Sequence, residues 1–150
     1  MSKAAELHEE LVKKLKAAIP DGDFVTQCLF QPFPRLYGRH HAVSNNVLGI
    51  QDQPQDGFLW LAVAQVRTPE HETLAYSLVR DWVAEVKAFA GDEGTLPFTY
   101  LNYADKSQDP LGSYGAENVR LIREAAAKYD PRHVFQRLSR GGFKLSNVKI

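Results

Sequence analysis

Cysteine is nearly absent from this 150-residue chain: Cys28 stands alone, so no intramolecular disulfide framework holds it together. Lying in the apolar run 24–30, that thiol reads as a buried structural one in a reducing compartment. Excess charge is absent as well. Eighteen Lys and Arg balance 18 Asp and Glu, which leaves no overall electrostatic pull toward nucleic acid or an anionic membrane. No stretch of about 18 apolar residues occurs, so no transmembrane helix is expected. The first residues lack the apolar core of a secretory leader and carry Glu6, Glu9 and Glu10, which makes the cytoplasm the expected location. No third Cys, His or carboxylate stands at a metal-ligand spacing beside His40 and His41, and no metal is expected. Acidic residues also run out after Asp130, while Arg132, Arg137, Arg140, Lys144 and Lys149 follow. That pattern reads as a solvated basic terminus.

What is present is ordinary for a globular domain of this length: 44% hydrophobic and 24% charged residues, enough to bury a sizeable core. Residues 3–18 put Ala4, Leu7, Leu11, Leu15 and Ala18 at helical spacing. Residues 23–31 alternate as a strand, stopped by Pro32-Phe33-Pro34. Asn45–Gln51 reads as a short strand, and Phe58–Val66 as a central one. Thr68-Pro69-Glu70 starts a helix running to about Ala90, with Leu74, Leu78, Trp82, Val86 and Phe89 as its buried stripe and Gly91 as its cap. Ala116–Tyr129 is a further amphipathic helix, Val134 and Phe135 form a small hydrophobic plug, and Gly141-Gly142 is a hinge. The order predicts an α+β fold: an antiparallel sheet of three to four strands with helices on one face, ferredoxin-like in style. It is one domain overall, with a sheet unit over 1–98 and a C-terminal strand, loop, helix and docking tail over 99–150. A sheet face left uncovered implies a ligand pocket or a partner subunit, most simply a homodimer.

Proton-handling side chains concentrate in Thr99–Gly115, where Tyr100, Asn102, Tyr103, Asp105, Gln108, Asp109 and Tyr114 fall within one Gly- and Pro-punctuated stretch. Such loops carry function or reach a partner. Tyr100, Tyr103 and Asp105 are candidate catalytic groups, together with His40 and His41 from the loop Arg35–Ala42, because imidazole titrates near neutrality. Adjacent loop histidines are also common as plain surface residues. Gln27, Gln31 and Gln65 on otherwise apolar strands, with Asn102, Tyr37 and Trp60, are candidate substrate-binding groups.

YLNYAD, SQDPLGSYG, KYDP with VF three residues on, and GGFK together resemble the C-terminus of berberine bridge enzyme-like FAD-linked oxidoreductases, above all the fungal members of secondary metabolism. GDFVTQCLFQPFP, NVLGI and LWLAVAQVRTPE extend the resemblance toward residue 5. It implies a sheet roofing the reactive face of a flavin, with Tyr100, Asn102 and Tyr103 nearest the flavin and Gln27, Gln31 and Gln65 on the substrate side. The family's FAD domain lies N-terminal to the matched part, and this sequence has no glycine-rich phosphate loop following a strand. Arg140 stands where the family often has Pro. The expectation is therefore a truncated relative that needs no cofactor of its own. It would act as a flavin-free isomerase or cyclase, a pericyclase among the options, on a small apolar natural-product intermediate. The alternatives are a non-catalytic accessory subunit and a C-terminal fragment of an FAD-linked oxidoreductase.

Overall fold

Two ten-residue runs, one alternating in burial and one apolar on both faces, build the only regular sheet among the described residues. The computed structural model describes residues 1–39, 46–51 and 53–148. In chain order the elements are α1 (Ser2–Ala18), β1 (Phe24–Phe33), α2 (Leu36–Arg39), β2 (Gly57–Val66), α3 (Pro69–Glu93), α4 (Ala116–Tyr129) and α5 (Val134–Leu138). Single 3-10 turns form at Leu101–Tyr103, Gly112–Tyr114 and Leu145–Asn147. The chain divides into two compact units, one from Met1–Phe33 with Gly57–Thr95, the other from Pro34–Asp56 with Leu96–Ile150.

In the first unit β1 and β2 pair antiparallel, from Phe24 opposite Val66 to Phe33 opposite Gly57. Because successive side chains alternate between faces, one face carries Phe24, Thr26, Cys28 and Phe30 with Trp60, Ala62, Ala64 and Val66. The apolar stripes of α1 and α3 cover that face through Ala4, Leu11, Leu15, Ala75, Trp82 and Val86, joined by Ile19 just past α1. Trp82 meets Trp60 edge to face, with ring centroids 5.1 Å apart, and has His8 at 5.0 Å on another side.

The polar atoms of this core are mostly paired, as burial demands. The Trp60 indole N–H donates to Cys28 Sγ at 3.2 Å, and the thiol in turn reaches the Ala4 carbonyl at 3.9 Å. Thr26 Oγ1 donates to the Val63 carbonyl at 2.8 Å and lies 3.2 Å from His8 Nε2. With its own proton directed at Val63, the hydroxyl accepts from His8, so His8 Nε2 carries a hydrogen.

Helix α3 begins as its sequence dictates. Thr68 Oγ1 accepts the His71 N–H at 3.1 Å, Pro69 takes the first helical position, and Glu70 and Glu72 lie in the first turn. Thr68→Ala should lower stability by about 1 kcal/mol, read as a downward shift in Tm, and Thr68→Ser should restore most of it.

In the second unit Ile50, Pro110, Tyr114, Val119 and Val148 are buried. The backbone packs closely there. A Cβ on Gly38 would collide with the Ile50 carbonyl, and one on Gly49 would meet the Tyr114 carbonyl oxygen at 2.5 Å. Asp130 joins α4 to α5 by accepting the Val134 N–H at 2.7 Å on one carboxylate oxygen and the Phe135 N–H at 3.0 Å on the other. His133, at φ 54°, turns the chain between them.

The α+β class, the antiparallel pairing and the one-sided cover by helices hold. The described residues show two strands rather than three or four, so the ferredoxin-like layout does not extend to strand count. Asn46–Gln51, the described part of the expected strand Asn45–Gln51, bends around Gly49 at φ 71° instead. The strand expected to open the segment 99–150 is replaced by a 3-10 turn at Leu101–Tyr103. β1 continues through Pro32 to Phe33, which a strand with one neighbour tolerates where the missing N–H would point away from it. α3 runs on past Gly91, and Gly94 at φ 89° caps it. Its buried stripe uses Ala75, Trp82 and Val86, whereas Leu74 and Phe89 are exposed. The plug at Val134 and Phe135 is a helical turn with Phe135 outside. Among the described residues no helix is long and apolar enough to cross a membrane.

Candidate functional site

The pleat of β1 and β2 decides where the candidate glutamines point. Gln27 lies opposite Val63, Gln31 opposite Leu59 and Gln65 opposite Val25. All three occupy the face turned away from α1 and α3, among Val25, Leu29, Leu59, Leu61 and Val63. Val25 and Leu29 keep 53% and 43% of their surface exposed. The result is an apolar surface with three primary amides, each able to donate and to accept. Trp60 belongs to the opposite face. Its ring packs on Trp82 and its N–H is held by Cys28, which makes it a core residue of the sheet and not a neighbour of the glutamines.

In the second unit the run 98–114 folds into an aromatic cluster. Phe98 stacks on Tyr114 at 5.9 Å, and Tyr100 lies 6.4 Å from Phe98. Tyr103 meets Tyr100 edge to face at 4.9 Å. The 3-10 turn at 101–103 brings Asn102 back over Tyr100, so that its Nδ2 donates to the phenol oxygen at 2.8 Å. Tyr100, Asn102 and Tyr103 thus form one hydrogen-bonded and ring-packed group, with Asn102 and Tyr103 exposed. Tyr114 is buried below them. Desolvation pushes its phenol above the usual value, outweighing a hydrogen bond with the Leu101 backbone that favours the ionised form.

Asp105 is occupied otherwise. One carboxylate oxygen accepts both the Ser107 N–H at 2.9 Å and the Ser107 hydroxyl at 2.6 Å, while the Asp105 N–H donates to Gln108 Oε1 at 2.8 Å. The residue builds a turn, a common use of Asp in loops. Asp109 does the same for the turn at Gly112–Tyr114, accepting the Gly112 N–H at 2.9 Å. Tyr37 lies half exposed on α2. His40 and His41 lie outside the described residues.

Sequence reasoning missed a cleft of about 490 Å³ in the second unit, lined by Ala104, Lys106, Gln108, Asp109, Phe143 and Lys144 among others. It joins the SQDPLG and GGFK segments, which only their shared membership of the recognised motifs linked in advance. Among the described residues no three His, Cys, Asp or Glu side chains gather as a metal site. The described residues also do not fit FAD by themselves. Among the described residues neither strand-to-helix link, Pro34-Arg35 between β1 and α2 or Arg67-Thr68 between β2 and α3, contains a glycine, and Thr68 Oγ1 already accepts a helix N–H. A pyrophosphate cradle of the strand–loop–helix kind is therefore not built there.

No family model matches the chain, and no solved structure does. Curated relatives do. An FAD-dependent monooxygenase of Aspergillus calidoustus is 35% identical over 148 residues, 97% of this chain and 28% of that protein. One of Emericella nidulans is 33% identical over 152 residues, 99% of this chain and 31% of its own length. The bifunctional solanapyrone synthase of Alternaria solani is 38% identical over 112 residues, 73% of this chain and 21% of the synthase. The chain is thus similar, along nearly its whole length, to less than a third of the length of fungal FAD-dependent monooxygenases.

Proposed function

We propose that this chain forms the substrate-facing sheet and the C-terminal section of an FAD-linked oxidoreductase of the berberine bridge enzyme-like kind, acting on a small apolar natural-product intermediate. The observation that carries the reading is the placement of Gln27, Gln31 and Gln65 together among apolar side chains on the face away from α1 and α3. A mostly apolar surface with a few amides excludes water from a ligand while fixing its carbonyl and hydroxyl groups. The partial match to FAD-dependent proteins supports this reading. The flavin-free isomerase or cyclase that the sequence also admits draws no such support.

Within this reading FAD supplies the redox chemistry from the part of the protein that the match does not cover, and this chain supplies positioning and proton handling. Tyr100 is the better-placed proton-transfer group. The amide N–H of Asn102 donates to its oxygen and fixes where it points, whereas the Asp105 carboxylate is engaged by Ser107. Tyr103 lies at the exposed edge of the same group.

The test is a chimera in which this chain replaces the matched segment of the Aspergillus calidoustus relative. The purified chimera should show flavin absorbance and turn over that relative's substrate. Tyr100→Phe should keep the flavin spectrum and lower kcat about 100-fold, while Gln31→Leu should mainly raise KM. A folded but colourless chimera would overturn the reading.

A further inference from the structure

The cleft in the second unit is walled by two stretches far apart in sequence, one within 104–111 and the other within 142–147. Hydrogen bonds shape both walls. In the first, Asp105 accepts the Ser107 N–H at 2.9 Å and its own N–H donates to Gln108 Oε1 at 2.8 Å. In the second, the Leu145 N–H donates to Gln136 Oε1 at 3.0 Å, and Val148 is buried just beyond. The volume of about 490 Å³ falls within the range of about 300–1,000 Å³ that small organic ligands occupy.

The polar side chains of these walls keep more donors than acceptors. Lys144 Nζ gives one hydrogen to the Ser139 carbonyl at 2.6 Å and has two more. Gln108 commits its amide oxygen to the Asp105 N–H, and Asn147 commits its own to the Ser146 hydroxyl at 3.2 Å, which leaves each amide its NH2 group. Lys106 adds a second ammonium group. The one carboxylate lining the cleft among the described residues, that of Asp109, is turned onto its own loop, where it accepts the Gly112 N–H at 2.9 Å. Two ammonium groups against one carboxylate leave a single positive charge in surplus. Phe143 and Leu111 supply the apolar part of the lining.

We infer that this cleft binds a small organic monocarboxylate with a flat apolar body. Lys106, Lys144 and the amides of Gln108 and Asn147 hold the carboxylate, and the body lies against Phe143 and Leu111. This ligand site adds to the functional reading above and does not rest on it. Other ligand classes match the lining less well. A neutral apolar molecule would desolvate the ammonium and amide donors without pairing them, at a cost. A cation would meet two like charges. Inorganic phosphate carries more than one negative charge near neutral pH, which would exceed the surplus and crowd Asp109, and it leaves the apolar lining unused.

The experiment titrates the full chain with 2-naphthoate in a calorimeter and repeats the titration with the neutral 2-naphthamide. Naphthoate should bind at least about tenfold more tightly, because hydrogen bonds to a charged group are the stronger ones. Added salt should weaken naphthoate binding and spare naphthamide binding. Lys106→Met and Lys144→Met should each weaken naphthoate binding about tenfold, while Lys144→Arg should keep most of it. Phe143→Ala should weaken both ligands alike, and Lys87→Met on α3 should affect neither. Lys106 is exposed, so an unchanged thermal melt will show that Lys106→Met is folded even where Lys144→Met, which loses the Ser139 contact, is not. Absence of naphthoate binding, equal affinity for the two ligands, or full naphthoate binding by folded Lys106→Met overturns the assignment. Displacement of naphthoate by inorganic phosphate at equal concentration does so too.

Discussion

Gly49→Ala is expected to destabilise the protein by about 3 kcal/mol, lowering Tm by about 6–12 °C. Two costs add at this position. Its φ of 71° is left-handed backbone, where a Cβ clashes with the following carbonyl. In addition that Cβ would lie 2.5 Å from the Tyr114 carbonyl oxygen and 3.1 Å from its carbon. The carbonyl has little freedom to retreat, because it accepts the Asn118 side-chain N–H at 2.8 Å and belongs to a buried tyrosine stacked on Phe98. Movement of Tyr114 would carry to Tyr100 through Phe98, so loss of near-ultraviolet circular dichroism should accompany the loss of stability. Gly57→Ala is the control. Nothing lies within 4 Å of its added Cβ, and its effect should stay within about 0.5 kcal/mol. Equal effects at the two glycines would refute the close approach of residues 49 and 114.

Trp82→Ala is expected to cost about 3–5 kcal/mol in the first unit, a large share of the stability of a domain this size. Trp82 is 3% exposed and wedged between Trp60 and His8, so its removal leaves a cavity and strips two aromatic partners at once. Trp82→Phe should cost far less. It keeps a ring against Trp60 and discards an indole N–H that is buried with no hydrogen-bond partner among the described residues, a group whose burial is itself unfavourable by about 1–3 kcal/mol. Urea titrations of both variants give the comparison. Equal losses for alanine and phenylalanine would show that the indole N–H finds a partner and the ring contacts carry little.

The first unit was legible because its signals are local. Helical spacing in α1, the Thr68-Pro69 start of α3, the period of two in β1 and the unbroken apolar run of β2 each specify one element, and the pleat then placed Gln27, Gln31 and Gln65 on one face. That Trp60 lies on the helix-covered face was not legible, because alternation tells which residues share a face, not which face the helices cover. The second unit was less legible because long-range backbone contacts shape it. NVLGI has the composition of a strand, but Gly49 must approach Tyr114, 65 positions onward in sequence, and the chain bends to allow it. The turn that Asp105 builds with Ser107 was not legible, because carboxylates build turns and transfer protons with the same atoms. Phe135 looked like a plug because its exposure depends on how the Asp130 carboxylate starts α5.

That carboxylate also bears on what keeps the C-terminal turn in shape. With both oxygens of Asp130 bonded to consecutive backbone N–H groups, the turn from α4 into α5 is clamped at two points by one side chain. Phe135 is left largely exposed, so the order of this turn comes from the polar clamp and not from burial of its apolar residue.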